Sequence, residues 1–240
     1  MKAASVSNIR GVQYDLSRAA EGMPEKVRVE AMSEMADFAT HDAKGRQAMW
    51  QDSGTRSVLL AGARWRQPPS VRRQALRCLS SLAADAENRE PMWAATRSAL
   101  LAAAADGQSG VVRRQALWAL VNLSTDSASV QREMWQDTKD DRSTRPLLLD
   151  CAASVQAEEV RVLALWALCN LASEPENKAA MWEDAGEGGV RALLLGCARA
   201  SGLEDAPRLL QQAPPPPNLS GEATALRGPE GPSRPRLICR

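Results

Sequence analysis

Val160–Ala172 reads V-R-V-L-A-L-W-A-L-C-N-L-A. The same pattern stands at Val112–Ser124, as V-R-R-Q-A-L-W-A-L-V-N-L-S. Looser copies stand at Val71–Ala83 (V-R-R-Q-A-L-R-C-L-S-S-L-A) and Val27–Ala39 (V-R-V-E-A-M-S-E-M-A-D-F-A). Apolar residues recur three and four apart in each, the spacing of one helix face. One helix written four times indicates a repeat protein.

Two further markers follow each copy. Met49-Trp50, Met92-Trp93, Met134-Trp135 and Met181-Trp182 lie 21 or 22 residues after the starting valines. Arg56, Arg97, Arg145 and Arg191 come next, each with a leucine pair three and four residues on. The valines themselves are 44, 41 and 48 residues apart. A period near 42 built from three short helical segments is the pattern of stacked helical repeats. The segment ending in Met-Trp reads as the first helix, the Arg-x-x-Leu-Leu segment as the second, and the Val-Arg segment as the third and longest. Spacer length varies between Met-Trp and Arg, as in Gln136–Thr144, so insertions fall on one edge of the array.

Residues 1–26 form a lead-in. Ile9, Val12 and Leu16 fall at helical spacing after Ser7 and Asn8, which predicts a helix, either a cap for the array or the remnant of an earlier repeat. The array is expected over 27–212, and Pro24 interrupts the chain just before it. A fifth long helix is due near Leu203–Gln212, where Pro207 stands and no Val-Arg start is present. Residues 213–240, with Pro214–Pro217 and recurring Gly and Pro, read as a disordered tail with a polyproline II run.

Residues 27–200 resemble armadillo repeats of the importin-alpha and beta-catenin kind, over about three quarters of the chain. The sharpest part of the resemblance is Trp118-x-x-x-Asn122 and Trp166-x-x-x-Asn170. It implies an all-α, right-handed superhelical solenoid of about four repeats, whose third helices line a concave surface.

Helix geometry separates the two faces of each third helix. At roughly 100° per residue, Ala116, Leu117, Leu120 and Leu123 share one stripe, as do Ala75, Leu76, Leu79, Leu82 and Ala164, Leu165, Leu168, Leu171. In the first copy that stripe holds Ala31, Met32, Met35 and Phe38. Arg114, Trp118 and Asn122 form a row opposite it. The matching rows are Val162, Trp166, Asn170; Arg73, Arg77, Ser81; and Val29, Ser33, Asp37.

The row suits an extended peptide. An asparagine amide offers an acceptor beside two donors, so it can hold a backbone N–H and C=O together. Tryptophan rings make slots for apolar side chains or for cationic stems. By resemblance, importin-alpha holds basic segments on such pairs. Here the first two rows lack the pair, and Arg73, Arg77 and Arg114 disfavour a basic ligand. The expected partner is a protein presenting an extended acidic or amphipathic segment, held by Trp118, Asn122, Trp166, Asn170, Arg114, Arg73 and Arg77. Two structural roles stand beside this one: the tryptophans packing between repeats, and the asparagines bonding a neighbouring repeat. Arg64, Arg66, Arg72, Arg73 and Arg77 form a basic patch, read first as a solvated face.

Other function classes find little support. His41, the only histidine, follows Thr40 in what reads as a loop with no visible Ser, Cys or metal partner, so neither a triad nor a histidine metal site is read here. No phosphate loop, paired cysteine knuckle or carboxylate dyad is present, so no catalytic residue, metal or cofactor is assigned. A net charge of +1 weighs against nucleic acid, although the Arg-rich starts of the third helices leave it as an alternative, together with nuclear-import-type binding of basic signals. The most apolar run, Ser98–Ala105, is too short to span a bilayer. Five cysteines without close pairs suggest a reducing compartment, cytoplasmic or nuclear.

Overall fold

The computed structural model describes residues 6–9, 12–137, 143–153, 155–183 and 189–193. The expectations for Leu203–Gln212 and for the tail 213–240 lie outside them. Four long helices carry the quoted pattern: α2 (Glu25–His41), α5 (Pro69–Leu82), α7 (Gly110–Ser124) and α10 (Glu158–Leu171). They pack side by side in that order. The other helices lie between and after them: α3 (Gly45–Gln51), α4 (Ser53–Ala63), α6 (Ala86–Ala104), α8 (Ala128–Gln136), α9 (Thr144–Ala152) and α11 (Pro175–Glu183). Residues 190–193 begin a further helical turn.

The amino-terminal segment differs from the cap helix read for residues 1–26. Strands β1 (Val6–Ile9) and β2 (Val12–Asp15) pair antiparallel, with Ile9 opposite Val12 and Val6 opposite Asp15. A single helical turn follows, α1 (Leu16–Ala19), begun by the Asp15 carboxylate accepting from Ser17 N–H at 3.0 Å. The reason lies in residue type. Val6, Ile9, Val12 and Tyr14 are β-branched or aromatic and prefer extended backbone, and this outweighs the helical spacing of Ile9, Val12 and Leu16. The hairpin lies against α2 and α3.

Sequence also explains one fused helix. Met-Trp and the following arginine are separated by five residues after Trp50 and nine after Trp135, but by only Ala94-Ala95-Thr96 after Trp93. Ala, Ala and Thr contain no breaker, so the first and second helices of that repeat run on as α6. In the preceding repeat, Asp52 instead stops α3 and caps α4, accepting from Thr55 N–H at 2.7 Å.

The core stripe is where the periodicity puts it. Ala75, Leu76, Leu79, Leu82, Ala116, Leu117, Leu120 and Leu123 are all fully buried, while Phe38 and Leu165 are only partly so. Each such leucine contributes about 1.5–3 kcal/mol of burial. Met49, Trp50, Met92, Trp93, Met134 and Trp135 complete the core from the other elements. The recurring arginine sits on the recurring tryptophan. Arg56 lies over Trp50 at 5.7 Å, Arg145 over Trp135 at 4.7 Å and Arg191 over Trp182 at 4.9 Å. Such cation–π contacts contribute about 0.5–1 kcal/mol each at exposed sites. On the fused helix the arginine turns elsewhere: Arg97 grips Asp137 of the next repeat through two bonds of 2.7 Å.

Candidate functional site

The row opposite the core is continuous across the third helices. At its centre Trp118 of α7 meets Trp166 of α10 edge to face, with ring centroids 5.6 Å apart and planes at 84°. Trp118 is 39% exposed, unusual for a tryptophan in a packed helix. Trp166 is half-buried against the core. Neither indole N–H donates a hydrogen bond among the described residues.

The asparagines reach sideways. Asn122 donates its side-chain N–H to the Ser80 carbonyl of α5 at 2.8 Å. Asn170 donates to the Val121 carbonyl of α7 at 3.0 Å, with Ser124 Oγ and Thr125 Oγ1 at 3.2 and 3.3 Å. Each therefore bonds the carbonyl one residue before the matching row position of the preceding repeat. The inter-repeat role is present. Asn122 retains its oxygen and one N–H for another partner, and Asn170 retains its oxygen.

The cations of the row separate into paired and unpaired. Arg77 forms an ion pair with Asp37 of α2, and Arg114 with Glu159 of α10 at 2.9 Å. Arg73 is exposed and makes no ion pair among the described residues. The basic patch read from Arg64, Arg66, Arg72, Arg73 and Arg77 is accordingly smaller than its sequence suggests. Arg72 is 3% exposed and does not belong to it.

Arg72 belongs instead to a set that periodicity alone did not reveal. The arginine after each of the first three starting valines is buried and reaches a glutamine before the next third helix. Arg28 donates to Gln67 Oε1 at 2.8 Å, Arg72 to Gln108 at 2.5 Å and Arg113 to Gln156 at 2.9 Å. Each glutamine stands four residues before its valine, a signal that was readable in the sequence. Arg28 and Arg72 keep Nε and Nη2 buried without a partner. Burial lowers the Arg72 pKa. A second set closes the turn after each third helix. Asn88 donates to the carbonyls of Leu82 and Arg46, and Asn177 to those of Leu171 and Gln131. Arg46 and Gln131 hold the equivalent turns through the Ala39 and Ser124 carbonyls.

No protein-family profile matches the sequence, and no curated protein does. Solved structures do match. A designed armadillo repeat protein in complex with a (KR)4 peptide aligns with TM-score 0.61 at 17% identity, covering 82% of this chain and 90% of that one. The fold is an armadillo-type solenoid. An engineered protein aligns with TM-score 0.60 at 18% identity over 84% of this chain and 90% of its own. A computationally designed armadillo repeat protein for modular peptide recognition aligns with TM-score 0.57 at 16% identity, over 82% and 89%. At such identities the likeness is one of backbone, and the side chains of the row are this chain's own.

Thiols are placed passively. Cys78 and Cys151 are buried free thiols, and Cys169 is half-buried. Burial pushes the Cys78 thiol up to about 12. Cys151 is raised for the same reason, partly offset by the Arg113 guanidinium at 3.5 Å. Neither favours the reactive thiolate. Among the described residues no cluster of His, Cys, Asp and Glu is arranged to hold a metal ion, and no helix is long and apolar enough to cross a membrane.

Proposed function

We propose that this chain is a protein-interaction scaffold that holds an extended segment of a partner along the row of its third helices. The observation that carries the reading is the Trp118–Trp166 pair, which keeps Trp118 39% exposed on the face opposite the core. An exposed tryptophan beside a second ring makes a slot for an apolar side chain, and binding energy concentrates at such aromatic anchors. Asn122 supplies an acceptor and a donor beside the slot, and Asn170 an acceptor. Arg73, free of ion pairs among the described residues, selects an acidic side chain upstream, while Arg77 and Arg114 set the edges of the charge pattern. An acidic or amphipathic segment fits best, in a cytoplasmic or nuclear setting consistent with the buried thiols Cys78 and Cys151. The chain carries out no catalysis in this reading.

One observation favours a second reading. Asp37 and Glu159 neutralise Arg77 and Arg114, which reduces the repulsion that a basic segment would meet. The test is a titration of the full chain with an acidic–apolar, a Lys/Arg-rich and an uncharged apolar peptide. The scaffold reading expects the first to bind most tightly. Preference for the basic peptide would favour the import-type reading. A steep salt dependence on single-stranded RNA, with no peptide bound, would favour nucleic acid.

A further inference from the structure

We propose that the turn Arg64–Gln67, on the edge of the array where the third helices begin, is a second docking point. It is separate from the Trp118–Trp166 row. Its occupant is an acidic segment of a partner protein that carries an apolar side chain between its carboxylates.

Four turns of one kind lead into the third helices, but their sequences differ. Each opens on an extended residue that ends the preceding helix: Ala20 with ψ 151°, Arg64 with 145°, Ala105 with 157° and Ala153 with 150°. Each closes four residues before its starting valine, at Met23, Gln67, Gln108 and Gln156. Arg64 and Arg66 stand where the other turns hold Ala20 and Gly22, Ala105 and Gly107, or Ala153 and Val155. Trp65 stands where the first and third hold Glu21 and Asp106. The bend forms at those places without arginine or tryptophan, so the fold does not require them here. Yet Arg64, Trp65 and Arg66 are all exposed, Trp65 by 66%.

The turn is also held still. The Gln67 backbone N–H donates to the Arg64 carbonyl at 3.0 Å. Its side chain accepts from buried Arg28 at 2.8 Å and donates to Glu21 at 2.9 Å. Pro68 and Pro69 follow, with φ fixed by their rings. A tip braced in this way loses little conformational freedom on binding. Tryptophan and arginine are the residues in which binding energy concentrates at protein interfaces. Arg66 lies over the Trp65 ring at 5.1 Å, which joins cation to apolar surface. Neither Arg64 nor Arg66 forms an ion pair among the described residues, so both guanidinium groups can take a carboxylate.

Charge selects the kind of partner. Side-chain bonds tie successive turns along this edge, from Gln67 to Glu21, Arg72 to Gln108 and Arg113 to Gln156. Beside the Trp65 turn, the same edge exposes Glu21, Asp106 and Glu158. An anionic bilayer or a nucleic acid laid along it would meet those carboxylates. A short acidic segment meets only the two arginines and the tryptophan.

The test uses the full chain labelled with 5-fluorotryptophan and followed by fluorine NMR, with Trp65→Phe assigning the Trp65 signal. A peptide of alternating glutamate and leucine is expected to shift that signal, and one of alternating lysine and leucine is not. The shift should persist in the Trp118→Ala, Trp166→Ala variant. In the Arg64→Ala, Arg66→Ala variant, which carries alanine as Ala20, Ala105 and Ala153 do at the first position, it should need roughly tenfold more peptide. A Trp65 signal unmoved by the acidic peptide, or moved equally in the arginine variant, overturns the proposal. So does a signal moved only by vesicles of phosphatidylserine and phosphatidylcholine. Movement of the Trp118 and Trp166 signals alone sinks this proposal and leaves the row reading standing; movement of Trp65 alone does the reverse.

Discussion

Asn122 of α7 donates its side-chain amide to the Ser80 carbonyl of α5 at 2.8 Å, and so ties one repeat to the one before it. The same relationship recurs one repeat later, from Asn170 to Val121 at 3.0 Å. The residues that look most like ligand-binding groups on this surface are thus also fasteners. Their substitution confounds binding with stability, and the tryptophans beside them are the cleaner probes.

Asn122→Ala is expected to lower stability by about 1–2 kcal/mol, because it removes one bond and leaves a helix-end carbonyl short of its partner. Trp118→Ala removes a side chain already 39% exposed and is expected to cost less. Denaturant unfolding of the two variants checks the order.

Arg72 and Gln108 give a sharper contrast. Gln108→Leu takes away the partner of a buried guanidinium and is expected to cost roughly 2–3 kcal/mol. Arg72→Met removes the charge together with its two buried unpartnered nitrogens, and is expected to be near neutral. A double-mutant cycle by thermal melting measures the coupling. Equal losses from both single changes would count against the buried-charge account.

The buried turn amides should be costly to lose. Asn88 is 1% exposed and donates to both Leu82 and Arg46 carbonyls. Asn88→Ala is expected to destabilise by about 2–3 kcal/mol. Hydrogen exchange should show the opening concentrated where α5 meets α6.

Cys78 makes stability depend on alkaline pH. Its thiol titrates at about 12 in the folded chain against an ordinary value of 9.0. The folded state holds the proton more tightly, so this contribution is complete below 9.0 and is lost as pH rises towards about 12. Stability of the native chain should fall through that window more steeply than that of Cys78→Ala. At pH 8 the thiol should resist alkylation until the chain unfolds.

Much of the fold was legible because repetition multiplies weak signals. Ala116, Leu117, Leu120 and Leu123 define one stripe, and three other helices repeat it in register. The hairpin at Val6–Asp15 was not legible that way, since Ile9, Val12 and Leu16 satisfy a helical spacing by chance while their neighbours favour strand. The fusion of α6 hung on a three-residue spacer rather than on any apolar period. At the candidate site, the adjacency of Trp118 and Trp166 followed from the repeat. The destinations of the arginines did not, because burial of Arg72 and pairing of Arg77 depend on what the neighbouring repeat supplies: Gln108 for the first and Asp37 for the second.

Binding of an extended segment to the Trp118–Trp166 face is read out by calorimetric titration. The acidic–apolar peptide would be titrated into the wild-type full chain and into the Trp118→Ala, Trp166→Ala double variant, with melting curves confirming that both are folded. A loss of affinity of about tenfold or more in the variant, roughly 1.4 kcal/mol or above, is the predicted result. Equal affinities for the two folded proteins would contradict it.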